Sequence, residues 1–211
     1  MSGFKTVAGE TEAVSVIERS KFICLIRGVD GEEDAKSFID AARKKYPLAN
    51  HYCYAYIADE KGLNQKFSDD GEPHGTAGLP ILNAIKGRGL VKTAVIVVRY
   101  FGGVKLGTGG LARAYGGITA ETLDNADVIT LSDAEFYSLK LTYPKYKKAA
   151  VLLSGKIVNV DFGEDVTVKL AIKAEENGKE WILTAVSELF NDDVKVEFDG
   201  TGLYEFTERS K

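Results

Sequence analysis

The sequence is short of several things, and each shortage narrows the field. It holds two cysteines in 211 residues, Cys24 and Cys53, both inside strand-like apolar runs and not in a CxxC pair. That excludes a disulfide framework and points to reduced thiols. Four prolines and one methionine carry no pattern. No run approaches the ~20 apolar residues of a membrane span, and the opening segment MSGFKTVAGETEAVSVIERS lacks the basic and apolar regions of a signal peptide. A cytoplasmic location without membrane contact is therefore expected. An excess of positive charge is missing as well. Residues 1–131 carry 16 Lys+Arg against 16 Asp+Glu, so the overall net charge of −4 comes from the remainder. A general DNA binder, which needs clustered Lys and Arg, is thereby disfavoured. What is present is ordinary globular material, 45% hydrophobic and 27% charged, enough for a core in one large or two small domains.

The first half reads as alternating strands and helices. Val14 and Val16 alternate in a strand, and Phe22 to Val29 form a buried one. Ala35, Phe38, Ile39 and Ala42 recur at helical spacing until Tyr46-Pro47 closes the helix, whose acidic start Gly31-Glu32-Glu33-Asp34 suits its dipole. From His51 to Ala58, Tyr52, Tyr54 and Tyr56 face one way and Cys53, Ala55 and Ile57 the other. A turn at Glu60-Lys61-Gly62 leads to a short strand near Asn64–Ser68. A helix starts at about Leu79, and the β-branched run Thr93–Tyr100 is a central strand. After it a helix carries Leu111, Tyr115, Ile118 and Thr122 on one stripe, with Arg113 roughly opposite.

Past about Ser132 the texture changes. A strand over Phe136–Thr142 precedes a helix with Tyr146, Ala149, Ala150 and Leu153 on one face. Strands Ile157–Asp161 and Val166–Ala174 pair across a turn. A second helix carries Ile182, Ala185, Val186 and Leu189, and Val194–Glu205 closes the chain. This βαββαβ order is the ferredoxin-like pattern. The fold class is thus α+β, with domains at 1–131 and 132–211.

Twelve of the 22 glycines lie between Gly71 and Gly117, which concentrates tight backbone geometry in one region. Two motifs there carry chemistry. Ser68-Asp69-Asp70-Gly71-Glu72-Pro73-His74-Gly75-Thr76 packs carboxylates, an imidazole and hydroxyls together. It could hold a hard cation or orient His74 as a general base, or its aspartates could cap the backbone of a solvated turn. The calcium-loop frame is absent, so no metal is assigned. Gly102-Gly103-Val104-Lys105-Leu106-Gly107-Thr108-Gly109-Gly110, between a buried strand and a helix start, exposes amides beside Arg99, Lys105 and Arg113. That suits a phosphate, a carboxylate or a nucleic-acid backbone, although the glycines could equally serve close packing. Gly107 to Ala112 matches G-x-G-x-x-[GA], but six residues separate it from the strand, where a dinucleotide site needs an immediate turn. A Walker A loop is excluded because Lys105 precedes Gly107. No cofactor is expected. The tyrosine row could stack bases or pack beneath a helix.

Taken together, Asp69 to Gly78 and the stretch from Val97 through Arg99, Tyr100, Lys105, Gly107, Gly109, Gly110 and Arg113 to Tyr115 resemble the IMPACT family, in particular its bacterial YigZ-type branch. His74 stands where a serine is more usual. The resemblance implies an N-terminal domain similar to ribosomal-protein folds and to domain IV of elongation factor G, and a ferredoxin-like domain similar to that factor's domain V. It implies a translation-associated binding protein, ribosome-associated and regulating translation under stress, with ribosomal RNA or a translation-associated protein as partner. The expected contact residues are Asp69, Asp70, Gly71, Glu72, His74, Thr76, Arg99, Tyr100, Lys105, Gly107, Gly109, Gly110 and Arg113. In that reading the cations and the Gly107–Gly110 amides hold an anion. The rival reading is a hydrolase-like enzyme acting on a small molecule with the Asp69–His74 loop beside the glycine-rich anion site.

Overall fold

The computed structural model describes residues 3–190 and 194–206, and the chain divides into two compact units. The first spans Phe4–Thr130; the second begins at Leu131, and Gly3 belongs with it.

The first unit is built on an antiparallel sheet in the order β2-β3-β6-β4-β5. Its strands are β2 (Glu10–Ile17), β3 (Ser20–Gly28), β4 (His51–Ile57), β5 (Gln65–Ser68) and β6 (Thr93–Tyr100). β6 is central because its apolar residues must be covered on both faces, and Thr93 through Arg99 are all buried. Helix α1 (Glu32–Lys45) covers one face. Its buried residues Ala35, Phe38, Ile39 and Ala42 meet Ile23, Leu25, Ile96 and Val98. Helices α2 (Gly78–Gly87) and α3 (Gly107–Asp124) cover the other, where Ile81, Leu111, Tyr115 and Ile118 pack on Phe22, Cys24, Val95 and Val97. The tyrosine row lies under α1. Tyr52 donates its hydroxyl to the Tyr46 carbonyl and Tyr56 to Glu32, so these rings fasten the two ends of α1 and do not form an open stacking platform.

Two details depart from the sequence pattern. Periodicity gave no sign of strand β1 (Phe4–Val7), four residues whose Val7 carbonyl lies against Gly28. Strand β2 is present, but Val14 and Val16 are 53% and 67% exposed, while Ala13, Ser15 and Ile17 face the packed side. β2 is the sheet's edge, and α1 packs chiefly on β4 and β6.

In the second unit, β7 (Val128–Leu141, entering the unit at Leu131), β8 (Ile157–Phe162), β9 (Val166–Lys173) and β10 (Val196–Glu205) form an antiparallel array in which β10, β7, β9 and β8 are successive neighbours. Helices α4 (Tyr143–Leu153) and α5 (Gly178–Phe190) bury Ala149, Leu153, Ile182 and Val186 against Leu139, Val168 and Leu170. The Leu189 side chain lies outside the described residues. The described residues therefore form an α+β structure, with two antiparallel sheets and five helices among them. No helix among the described residues is long and apolar enough to cross a membrane.

Candidate functional site

The acidic loop follows β5 and ends where α2 begins. Gly78 sits so close to Ser68 that a Cβ there would lie 2.8 Å from its backbone, which ties both ends of the loop together. The first turn of α2 has free amides and no capping side chain from the residue before it. Asp69 supplies the cap from upstream: Oδ1 accepts the N–H groups of Ala77 (3.0 Å) and Gly78 (2.9 Å), and Oδ2 accepts that of Gly75 (2.8 Å). Burial by itself would raise this carboxyl, but the three amides outweigh it and hold the group below the usual aspartate range. Asp70, with φ +42°, pairs with Arg43 Nη2 (2.9 Å), accepts the Tyr52 N–H (2.7 Å), and takes His51 Nδ1–H on its carbonyl (2.9 Å). Gly71 supplies the next positive φ, +87°. The Thr76 hydroxyl donates to the Pro73 carbonyl at 2.6 Å and is buried.

Glu72 turns inward. Its Oε1 accepts Arg99 Nη1 at 2.6 Å and the Tyr115 hydroxyl at 2.8 Å, with the two charged side chains only 4% and 5% exposed. Arg99 sits at the end of β6 on the same face as Val95 and Val97, so its charge is carried into the layer beneath α3. Arg99 Nη2 also donates to Ser20 Oγ at 3.2 Å, and its guanidinium carbon lies 5.3 Å and 5.4 Å from the rings of Phe22 and Phe101. Burial raises the Tyr115 phenol well above its ordinary value, so it stays protonated and donates to Glu72. The same effect keeps the Cys53 thiol, which donates to the Asp69 carbonyl at 2.9 Å, far from thiolate.

This geometry revises several expected roles. Arg99 does not present charge to solvent, because Glu72 neutralises it in a buried pair. Glu72, expected among the contact residues, is buried against Arg99 and Tyr115 and does not reach the surface. Asp69, Asp70 and Thr76 are engaged in holding the loop itself. Tyr100 donates its hydroxyl to the Pro47 carbonyl at 3.0 Å. Of the loop's functional side chains, His74 stands out in solvent, 98% exposed, with Nδ1 3.8 Å from Asp69 Oδ2. A hydrolase built on the Asp69–His74 loop would need carboxylates available to substrate, and these are bonded within the fold.

The glycine-rich segment does the reverse. Gly102 is pressed onto the β2–β3 hairpin, where a Cβ would fall 2.0 Å from the Arg19 carbonyl carbon. Its N–H donates to Ser20 Oγ at 3.1 Å. The hairpin turn is Glu18-Arg19, with φ of +45° and +64°, a primed two-residue turn lacking the usual Asn or Gly. Sequence reading passed over this turn because neither residue type signals it. Beyond Gly102 the chain leads Lys105, Gly107 and Gly109 into solvent, and Arg113 emerges on the outer side of α3. Arg113 Nη1 is 3.5 Å from the place a Cβ on Gly109 would take, so the guanidinium folds back along the helix's first turn.

Lys105, Gly110 and Arg113 line a cleft of about 460 Å³ with Ile17, Glu18 and Leu106. Among the described residues neither Lys105 nor Arg113 makes an ion pair. No residue of the acidic loop lines the cleft. The two motifs meet instead through the buried Arg99–Glu72–Tyr115 cluster. Sequence reasoning missed Ser20, His51 and the Glu18-Arg19 turn as parts of this region. The signal for a partner was the placement of Arg99 in phase with Val95 and Val97.

The Impact N-terminal domain model matches residues 18–123. The IMPACT family member YigZ of Escherichia coli (strain K12) is 37% identical over 179 residues, covering 82% of this chain and 88% of that protein. The IMPACT family member YvyE of Bacillus subtilis (strain 168) is 48% identical over 122 residues, 58% of this chain and 55% of its own length. A crystal structure described as that of a hypothetical protein aligns over the whole of both chains, with a TM-score of 0.63 and 30% identity. The domain match covers both motifs and all the cleft residues from Glu18 to Arg113, and the chain belongs to the IMPACT family, in its YigZ-type branch.

Proposed function

We propose that this chain is a cytoplasmic, non-catalytic binding protein of the translation machinery. In this reading it holds an anionic group of ribosomal RNA or of a translation-associated protein in the Lys105–Arg113 cleft. The observation that carries the reading is the pair of cations beside the first turn of α3, which form no ion pair among the described residues and face a cleft floored by Ile17, Leu106 and Ala114, with Glu18 as its one acid. A helix start adds partial positive charge and unbonded amides to such a place. The contrast with Arg99 supports it: where this fold needs a cation for itself, it buries the cation against a carboxylate. In the same reading the second unit is a ferredoxin-like domain and the first resembles domain IV of elongation factor G, both analogies of fold.

The test is co-sedimentation of the purified chain with ribosomes at low and high salt. Wild type should pellet with ribosomal material at low salt and be released as salt rises. Lys105→Glu with Arg113→Glu should abolish pelleting while leaving the thermal midpoint nearly unchanged, since both side chains are exposed. Equal recovery of the double variant, or no recovery of wild type, overturns the reading.

A further inference from the structure

The cleft begins where another feature ends. Ile17 and Glu18, which form one wall, are the last residue of β2 and the first of its turn. β2 is an edge strand of eight residues, paired in unbroken register with β3 from Glu10↔Arg27 to Ile17↔Ser20. A two-residue hairpin closes on a pair that exchanges both hydrogen bonds, and such pairs alternate along an antiparallel ladder. Ile17, Ser15, Ala13 and Thr11 therefore bond inward to β3. Glu10, Glu12, Val14 and Val16 turn their main-chain N–H and C=O groups to the outer side, where no strand of the described residues meets them.

Proteins usually blunt such edges with proline, bulges, charged side chains or a covering element, and β2 carries charge only in its first half, at Glu10 and Glu12. β2 has no proline and no shift of register, and Val14 and Val16 are left largely exposed. We infer that β2 is a docking edge for an extended segment of a protein partner, which adds as a sixth strand and places an acidic group at its end into the Lys105–Arg113 cleft. This rests on the proposed function and chooses between its two partner classes. Charge decides the choice. Exposed Glu10, Glu12 and Glu18 lie along the strip, and Glu12, held below its usual range mainly by Lys45, remains ionised. A nucleic-acid backbone laid there would set phosphates against Glu10 and Glu18, Glu12 being already paired with Lys45 at 2.8 Å. A peptide needs only its main chain along β2 and negative charge at one end, which is the pattern of strand addition with a specific anchor.

The experiment is residue-resolved amide hydrogen exchange on the full chain. The probe is a peptide of alternating threonine and valine, made in two versions with paired aspartates at the N- or the C-terminus. One version, at about 1 mM, should slow exchange at Glu10, Glu12, Val14 and Val16 roughly tenfold, the protection expected of a contact with a dissociation constant of about 0.1 mM. Replacing its aspartates by lysines should remove the protection, and so should Lys105→Glu with Arg113→Glu. Val14→Pro deletes one outward donor without touching the β2–β3 ladder and should also remove peptide binding. If that variant proves unfolded, the wild-type exchange pattern still decides. Protection absent with both peptides overturns the inference. So does protection given by a single-stranded RNA oligomer in their place, or protection that grows with protein concentration alone, the mark of a second copy on the edge. Loss of ribosome pelleting in the cation double variant, with normal pelleting of a folded Val14→Pro, would sink the docking edge and leave the proposed function standing.

Discussion

Residues 68–76 and 102–113 are both rich in glycine, carry charge of opposite sign, and are opposite in what the fold does with that charge. In the first, Asp69 caps α2, Asp70 binds Arg43 and the Tyr52 amide, and Glu72 is buried against Arg99. In the second, Lys105 and Arg113 reach solvent and form no ion pair among the described residues, although Glu18 lines the same cleft. Geometry explains the difference. The acidic loop is short and folded over the end of the sheet, where unbonded amides of α2 and the inward end of β6 face it. The glycine segment is lifted by its contact with the β2–β3 hairpin, and the helix it opens turns Arg113 away from the core stripe. A dense run of charge therefore marks a binding surface only where the fold has not already supplied its counter-charges.

The sharpest break in that comparison is at Glu72. Glu72→Ala leaves the Arg99 guanidinium buried without its carboxylate and the Tyr115 hydroxyl without its acceptor. Removing one member of a buried pair costs about 3–5 kcal/mol. Urea unfolding should show a loss of that size, with Glu72→Gln losing less because an acceptor oxygen remains. A loss below about 1 kcal/mol, the scale of an exposed pair, would mean that the acidic loop is as solvent-facing as the glycine segment.

The glycine segment has its own point of failure. In Gly102→Ala the new methyl has to displace the Arg19 backbone, since the nearest atoms stand 2.0 and 2.1 Å from its position. Overpacking of this kind costs about 1–3 kcal/mol, and the strained Glu18-Arg19 turn is the piece that must move. Both thermal stability and ribosome pelleting should fall, because the displaced turn forms one wall of the cleft. A variant with normal stability and normal pelleting would show that the hairpin contact does not shape the cleft.

Much of this was legible beforehand. The helical period of Ala35, Phe38, Ile39 and Ala42, the β-branched run of β6 and the alternation of β4 each reflect burial that a local pattern records. What the pattern could not record was competition between distant groups. Val14 and Val16 read only as an alternating strand, and nothing local says that β2 lies at the sheet's edge, beyond the helix that covers its neighbours. Arg99 read as a ligand-binding cation although its period placed it on the face of Val95 and Val97, where a charge must be matched. Its match, Glu72, is 27 residues upstream in a loop whose path depends on the whole sheet. The exposure of Arg113 was legible because it lies on the side of α3 opposite the apolar stripe, whereas Lys105, in the loop before the helix, has no periodic pattern to place it.

The smallest effect falls on Asp69, and its pH dependence separates a structural carboxylate from a merely acidic surface. Its folded-state pKa is depressed below the ordinary aspartate value of 3.8, so its contribution is complete at neutral pH and fades as pH falls below that value. Asp69→Asn keeps one acceptor oxygen but no charge, so the bonds to Gly75, Ala77 and Gly78 cannot all be kept at full strength. A lost cap of this type costs about 1–2 kcal/mol. Because the two proteins share every other ionisable group, the difference between their unfolding free energies isolates this one. That difference should be largest at neutral pH and shrink once the wild-type carboxyl takes its proton. A gap that stays constant into acid would mean that the loop's amides bind the aspartate by shape alone, and the contrast between the two charged regions would then lose its electrostatic basis.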